Sequence, residues 1–289
     1  MKNIFFILCF LCQIAFGREI IVVSIPMQQE FAQKIAGEQY EVVSLVKSGV
    51  NPHDFEPKFS DVKKVNSAVA YFGIGIEFED IWLPRFKAQN KAMQVFDNSL
   101  GITRIFWEHS HSKHESHDSM QSHHSHERGD THIWLSPNNA KQIAKNIYES
   151  LKTLDSSADY TKAYEALIAE IQQTHLQLEQ ILSTLPQHQQ FVVFHPMLGY
   201  FARDYHLEEI AIEIEGKSPK MQEMVRVIET IKKNKLKIIF AQPEFSTKAA
   251  EFIAKESGAK LGFFSPLKTP WSENLLEFAN TLSNKNLEP

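Results

Sequence analysis

The chain has 289 residues, 43% hydrophobic and 22% charged, with a formal net charge of −5. That apolar share excludes a mainly disordered polymer, and the lack of a basic excess excludes a general binder of phosphate backbones, so no nucleic-acid partner is expected. At about 150 residues per domain the length suits two domains, and the unusual count is histidine, with 13.

Residues 1–17 read as a secretory signal. Lys2 supplies one positive charge, Ile4 to Leu11 an apolar run, and Ala15-Phe16-Gly17 the small residues of a cleavage site. The run is shorter than the roughly 20 residues a bilayer requires. No later stretch is long and apolar enough to span, so a soluble periplasmic protein is expected. A lipid anchor is the weaker reading, because Cys9 and Cys12 follow bulky residues. Cutting after Gly17 removes both cysteines, and any tightly held metal must then use imidazole and carboxylate.

The next residues alternate strand and helix. Ile20 to Ile25 reads as a strand, and Pro26 suits the first turn of a helix ending at Gly37. Strands follow at Val42–Val46 and Val69–Phe72, then a helix over Glu79–Ala88 and a short strand near Val95. Ser136-Pro137 reads as an N-cap with proline at the first helical position, opening a helix toward Leu154. Leu167, Ile171, Leu178 and Ile181 place one apolar face on a helix spanning residues 158–185. Four short apolar strands then follow, at Phe191–Phe194, Glu209–Ile214, Lys237–Phe240 and Leu261–Phe264.

Short apolar strands separated by helices indicate parallel sheets covered on both faces. The expected fold is α/β with two lobes, residues 18–157 and 186–289, joined by the helix at 158–185. A cleft between them would hold the site.

Three histidines occupy loops at element ends, where open parallel sheets build their sites. His53 lies in Gly49-Val-Asn-Pro-His-Asp-Phe-Glu-Pro57, His132 in Asp130-Thr-His-Ile-Trp-Leu-Ser-Pro137, and His195 directly after the Phe191–Phe194 strand. Zinc accepts imidazole nitrogen readily, though copper, nickel and iron do so too. Asp130 is placed to orient the His132 ring. Taken singly, each also fits a histidine packed at an element end.

From His109 to His126 the chain reads HSHSKHESHDSMQSHHSH, with His109, His111, His114, His117, His123, His124 and His126 in 18 residues. So little apolar surface cannot offset the entropy of ordering. A flexible loop over 109–130 carrying weak auxiliary metal sites is the favoured reading, beside a pH-titrating tract and an inert spacer.

Together these segments resemble the metal-binding extracytoplasmic solute-binding proteins of ABC importers, in the high-affinity zinc-binding, ZnuA-like branch. Gly49–Pro57 matches the Gly-x-x-Pro-His-x-x-Glu-Pro loop, Asp130–Pro137 the Asp-x-His-x-Trp-x-x-Pro segment, and Phe194-His195 through Gly199-Tyr200-Phe201 the strand-ending histidine before an aromatic helix. The resemblance implies that His53, His132 and His195 bind Zn²⁺. It also implies that the ion is delivered to a membrane permease, the partner that links the protein to an ATPase, and that two lobes sit on a fairly rigid helix; a monomer is expected.

Two positions depart from the family. Ser265 stands where members often carry an aspartate, so the fourth ligand is open among water, Glu56 and a loop histidine. Losing that carboxylate tilts selectivity from manganese toward zinc. His206 stands where glycine is common and reads as a surface substitution.

Other readings are a manganese or other divalent-metal binder of the same kind, a stand-alone periplasmic zinc buffer, and a zinc hydrolase. The hydrolase would need Glu56 as general base and lacks an HExxH helix or a nucleophile elbow, so no enzyme is expected. Trp82, Trp107, Trp134 and Trp271 read as core or rim residues, and Glu77, Glu79 and Asp80 as a solvated acidic loop with a docking role left open.

Overall fold

The computed structural model describes residues 17–106, 129–213 and 219–284. The signal at 1–17 therefore lies outside these residues except for Gly17, as do the seven histidines of the 109–126 run and Trp107.

The first lobe contains β1 (Glu19–Val23), α1 (Pro26–Ala36), β2 (Tyr40–Ser44), α2 (Phe59–Asn66), β3 (Ala68–Gly73), α3 (Glu77–Gln89) and β4 (Gln94–Asp97). A single 3₁₀ turn at Ile133–Leu135 leads into α4 (Pro137–Leu154), and α5 (Thr161–Leu182) follows. The second lobe contains β5 (Gln190–Val193), α6 (Gly199–Asp204), β6 (Glu208–Ala211), α7 (Met221–Asn234), β7 (Ile238–Ala241), α8 (Lys248–Ser257), β8 (Lys260–Phe263) and α9 (Trp271–Ser283). Both sheets are wholly parallel, in the orders β2-β1-β3-β4 and β6-β5-β7-β8. The two-lobed α/β expectation is met.

Several boundaries moved for local reasons. Asp159 accepts the Thr161 N–H at 2.9 Å and starts α5 there, so the helix has 22 residues rather than 28 and spans ~33 Å. β2 closes at Ser44, but Leu45 and Val46 still donate to the backbone of Val23 and Ser24 at 2.9 and 3.1 Å. α2 went unread because Val65 alone among its residues is buried, which leaves little periodicity. The Ser136 cap formed as expected, its hydroxyl accepting the Asn139 N–H at 3.2 Å.

One core runs from the first sheet through α5 and α9 to the inner face of the second, joining Val22, Phe31, Ile171, Leu178, Phe240 and Phe278. A smaller core lies on the other face of the second sheet, among Val192, Ile239, Ile231 and Ile253. Phe191 and Val193 point into the first core, Val192 and Phe194 into the second, the period-two alternation of a sheet covered on both sides.

Trp134 and Trp271 tie the lobes together behind the cleft. The Trp134 indole donates to the Pro266 carbonyl at 2.8 Å, and the Trp271 indole donates to the Trp134 carbonyl at 2.7 Å. Trp271 also meets Phe31 of α1 edge-on, with ring centroids 5.5 Å apart. Trp82 is partly buried at the rim, under the Arg85 guanidinium. No helix among the described residues is long and apolar enough to cross a membrane.

Candidate metal centre

The carboxyl ends of the strands in both sheets face one cleft, and the site is assembled there. His53 follows β2, His132 ends the connection between β4 and α4, and His195 lies two residues past β5. The structure brings all three together. His53 Nε2 is 3.2 Å from His132 Nε2 and 3.1 Å from His195 Nε2, and one ring nitrogen from each lies within 4.8 Å of the others. A tetrahedral ion with bonds of about 2.0–2.1 Å spaces its donors about 3.3–3.4 Å apart. The observed spacing therefore suits one ion held by three imidazoles, and no other such cluster of His, Cys, Asp or Glu occurs among the described residues.

Each ring turns its other nitrogen to a carboxylate. His53 Nδ1 meets Glu77 at 2.9 Å, His132 Nδ1 meets Asp130 at 2.8 Å, and His195 Nδ1 meets Glu213 at 2.8 Å. A carboxylate only accepts, so Nδ1 carries the proton and the Nε2 lone pair points into the cleft.

Asp130 was expected in this role. Glu77 and Glu213 were not, because they lie 24 and 18 residues from their histidines. The usable signal was position, since Glu77 follows β3 and Glu213 follows β6 at the ligand-binding end of each sheet.

The solvated acidic loop is thereby corrected. Glu77 binds His53, and Glu79 is buried, accepting the Ser24 hydroxyl at 2.5 Å and the N–H groups of Ile74 and Gly75 at 2.9 Å. Asp80 is exposed.

The backbone around the ligands is held as firmly as the rings. Asp130 Oδ1 also accepts the His132 N–H at 2.9 Å. The preceding Gly129 has φ +71°, and a Cβ there would sit 2.8 Å from the Ile105 carbonyl, so only glycine fits. Across the cleft, Gln242 accepts the His195 N–H and donates to the His195 carbonyl, both at 3.1 Å. Phe245 stacks on the His195 ring, with centroids 4.5 Å apart.

His53 and His195 do not share one proton affinity. Burial alone would lower His53, but the Glu77 hydrogen bond and charge, with Asp54 and Glu213 adding, raise its pKa. His195 is lowered to about 4 by burial and by the charges of His53 and His132, against the pull of Glu213. Burial works to raise Glu77, yet the His53 bond and charge bring it to about 2.

Around the remaining side of the cluster, Glu56 is exposed and does not join the donor group. The Ser265 hydroxyl donates to Glu244, which commits it away from a metal. His206 is exposed with φ +54°, which explains why glycine suits that position.

Zinc-binding proteins are among the known proteins similar to this chain. Residues 21–284 match the family model described as zinc-uptake complex component A, periplasmic. The chain is 30% identical over 290 residues to the zinc-binding protein AdcA of Streptococcus pyogenes serotype M3, covering 95% of this chain and 56% of that protein. It is 28% identical over 306 residues to the zinc-binding lipoprotein AdcA of Streptococcus pneumoniae, covering 60% of that protein. The chain thus spans little more than half the length of these curated relatives.

Among solved structures, a crystal structure of ZnuA superposes with a TM-score of 0.83 at 39% identity, covering 93% of this chain and 99% of that one. A zinc-bound ZnuA deletion mutant superposes equally well at 38% identity, covering 94% and 100%. The chain belongs to the zinc-uptake complex component A family, the periplasmic metal-binding components of zinc uptake.

Proposed function

We propose that the protein captures Zn²⁺ in the interlobe cleft on His53, His132 and His195 and delivers it to an ABC-type permease coupled to an ATPase. The observation that carries this reading is the convergence of three imidazoles, with His53 Nε2 3.2 and 3.1 Å from the Nε2 atoms of His132 and His195 and each ring backed by a carboxylate. An all-imidazole donor set suits zinc, whereas manganese favours oxygen donors. In this reading water takes the fourth position, because Glu56 faces solvent and Ser265 is bonded to Glu244.

The protein is not an enzyme in this reading: Glu56, the general-base candidate of the sequence, is exposed and outside the cluster, and Glu77, Asp130 and Glu213 are each committed to a ligand ring. Cleavage after Gly17 into the periplasm, a monomeric state and auxiliary zinc capture by the 109–126 histidines complete the proposal. The lobes divide at a linker over 158–185.

Isothermal calorimetry with Zn²⁺ tests the site. His53→Ala, His132→Ala and His195→Ala should each abolish the tightest binding event, while deleting 109–126 should lower the stoichiometry and leave that event in place. Retention of wild-type affinity by all three alanine variants would reject the assignment. Co-purification with the permease encoded beside the gene, enhanced by zinc, tests delivery, and absence of any such complex favours a stand-alone buffer.

A further inference from the structure

Behind the metal centre lie two carboxylates that the ligand geometry does not use in full. Glu209 sits on β6, one strand from β5. Its Oε1 accepts the N–H groups of Met197 and Leu198 at 3.0 and 2.9 Å, which pins the turn that follows His195. Its Oε2 is buried without a hydrogen-bond partner.

In the opposite lobe, Asp130 binds both the backbone and ring of His132 through Oδ1, while its Oδ2 is likewise buried and unpartnered. The two residues meet the same short stretch at the start of α6: Leu198 donates to Glu209, and the Tyr200 hydroxyl donates to the Asp130 carbonyl at 2.7 Å.

Two buried carboxylate oxygens with nothing to bind are costly, about 1–3 kcal/mol each and more when charged. A proton on Glu209 Oε2 removes its own deficit, because a protonated carboxyl donates where a carboxylate can only accept, and directed at Asp130 Oδ2 it would remove both. Burial, with the Asp130 charge adding to it, pushes the Glu209 pKa up to about 8 against the opposing pull of the two backbone N–H groups.

We propose that Glu209 is a positioning residue for the metal centre, holding the His195 turn through one oxygen and donating its proton through the other toward Asp130, the carboxylate that orients His132. This rests on the three-histidine reading above. One neutral side chain then sets both a first-lobe and a second-lobe ligand, and the positions of His132 and His195 become coupled across the cleft. Gln242 grips His195 itself, so Glu209 acts on the turn beyond it.

The test compares wild type, Glu209→Gln and Glu209→Leu by zinc titration, with the His132 Nδ1 proton followed by NMR in the zinc-loaded protein. Glutamine keeps an oxygen that accepts both N–H groups and offers an amide N–H in place of the acid proton, so Glu209→Gln should bind zinc within about threefold of wild type with the His132 resonance in place. Glu209→Leu should bind ~10–100-fold more weakly, the cost typical of removing an outer partner of a metal ligand, with the His132 resonance displaced.

Infrared spectra at pH 7 provide a reading that does not depend on the leucine variant folding. Wild type should show a protonated carboxyl band that Glu209→Gln lacks. Equal affinities in all three proteins with an unmoved His132 signal would overturn the proposal. So would a Glu209→Gln variant as weak as Glu209→Leu, or a wild-type spectrum without the band. Failure of the three-histidine reading is separately visible, as a His53→Ala protein that binds zinc like wild type.

Discussion

The two lobes repeat one topology, with strand orders β2-β1-β3-β4 and β6-β5-β7-β8, yet they build their halves of the centre differently. The first lobe supplies two ligands from loops, His53 partly exposed and His132 buried, each backed by an acid from its own lobe. The second lobe supplies one, His195, whose backbone is gripped on both sides by Gln242. Their cores differ as well. The first sheet joins the shared core with α5 and α9, whereas the second sheet divides its faces between that core and a smaller one under α7 and α8. A common sheet order fixes where a site can form, and the loop beyond each strand decides how tightly its ligand is held.

The largest expected effect separates the two cores. Trp271→Ala should cost ~3–5 kcal/mol in chemical denaturation, as a large buried aromatic removed from the shared core. Ile253→Ala in the outer core should cost nearer ~2 kcal/mol. Equal losses would mean that the outer core is as firmly built as the shared one.

Next come the ligands' partners. Glu213→Ala and Glu77→Ala should each weaken zinc binding ~10–100-fold in calorimetry. Glu213→Ala should be the more severe, because Glu213 is buried and Glu77 is a third exposed. Reversal of that order would show that the second lobe depends on its backbone clamp rather than on ring orientation.

The pH dependence sharpens the contrast between His53 and His195. Zinc needs neutral imidazole. His53 has its pKa raised above 6.5, so its proton competes first as pH falls; His195, at about 4, joins only in strong acid. Zinc affinity should therefore begin to drop near neutrality and fall further as pH is lowered. Glu77→Gln should shift that drop to lower pH, since burial alone lowers His53.

With the metal chelated, the same pair makes a stability claim. His53 stabilises the fold fully below its unfolded value of 6.5, and that contribution is lost as pH rises through its raised pKa. Glu77 stabilises above its unfolded value of 4.5, and its share is lost as pH falls toward about 2. The pair therefore contributes most between 4.5 and 6.5. Thermal melts of wild type and Glu77→Gln across that window should differ most inside it.

The smallest effect is at His206. A left-handed backbone costs a non-glycine residue ~1 kcal/mol, so His206→Gly should raise stability by up to about that amount without changing zinc affinity.

How much of this was legible in the sequence depends on distance along the chain. The strands announced themselves as short apolar runs, because a parallel sheet buried on both faces needs apolar side chains in both directions. The Ser136-Pro137 helix start was equally readable, since a cap acts over three residues. His53, His132 and His195 could be named from their loops and the family motifs.

Glu77, Glu213, Gln242 and Glu209 could not be assigned their roles, because each acts on a residue that only the sheet order brings near. Composition likewise drew attention to the run at 109–126, which accounts for most of the histidine excess, and not to the three histidines that meet in the cleft. The chain's order of residues determined the α/β pattern, the two repeats and the three candidate ligands. Only the tertiary structure decided that those ligands meet within hydrogen-bond distance, which nitrogen each presents and which acid holds it. For His53 and His195, imidazole orientation is a property of contacts between segments 24 and 18 residues apart, and no local pattern encodes it.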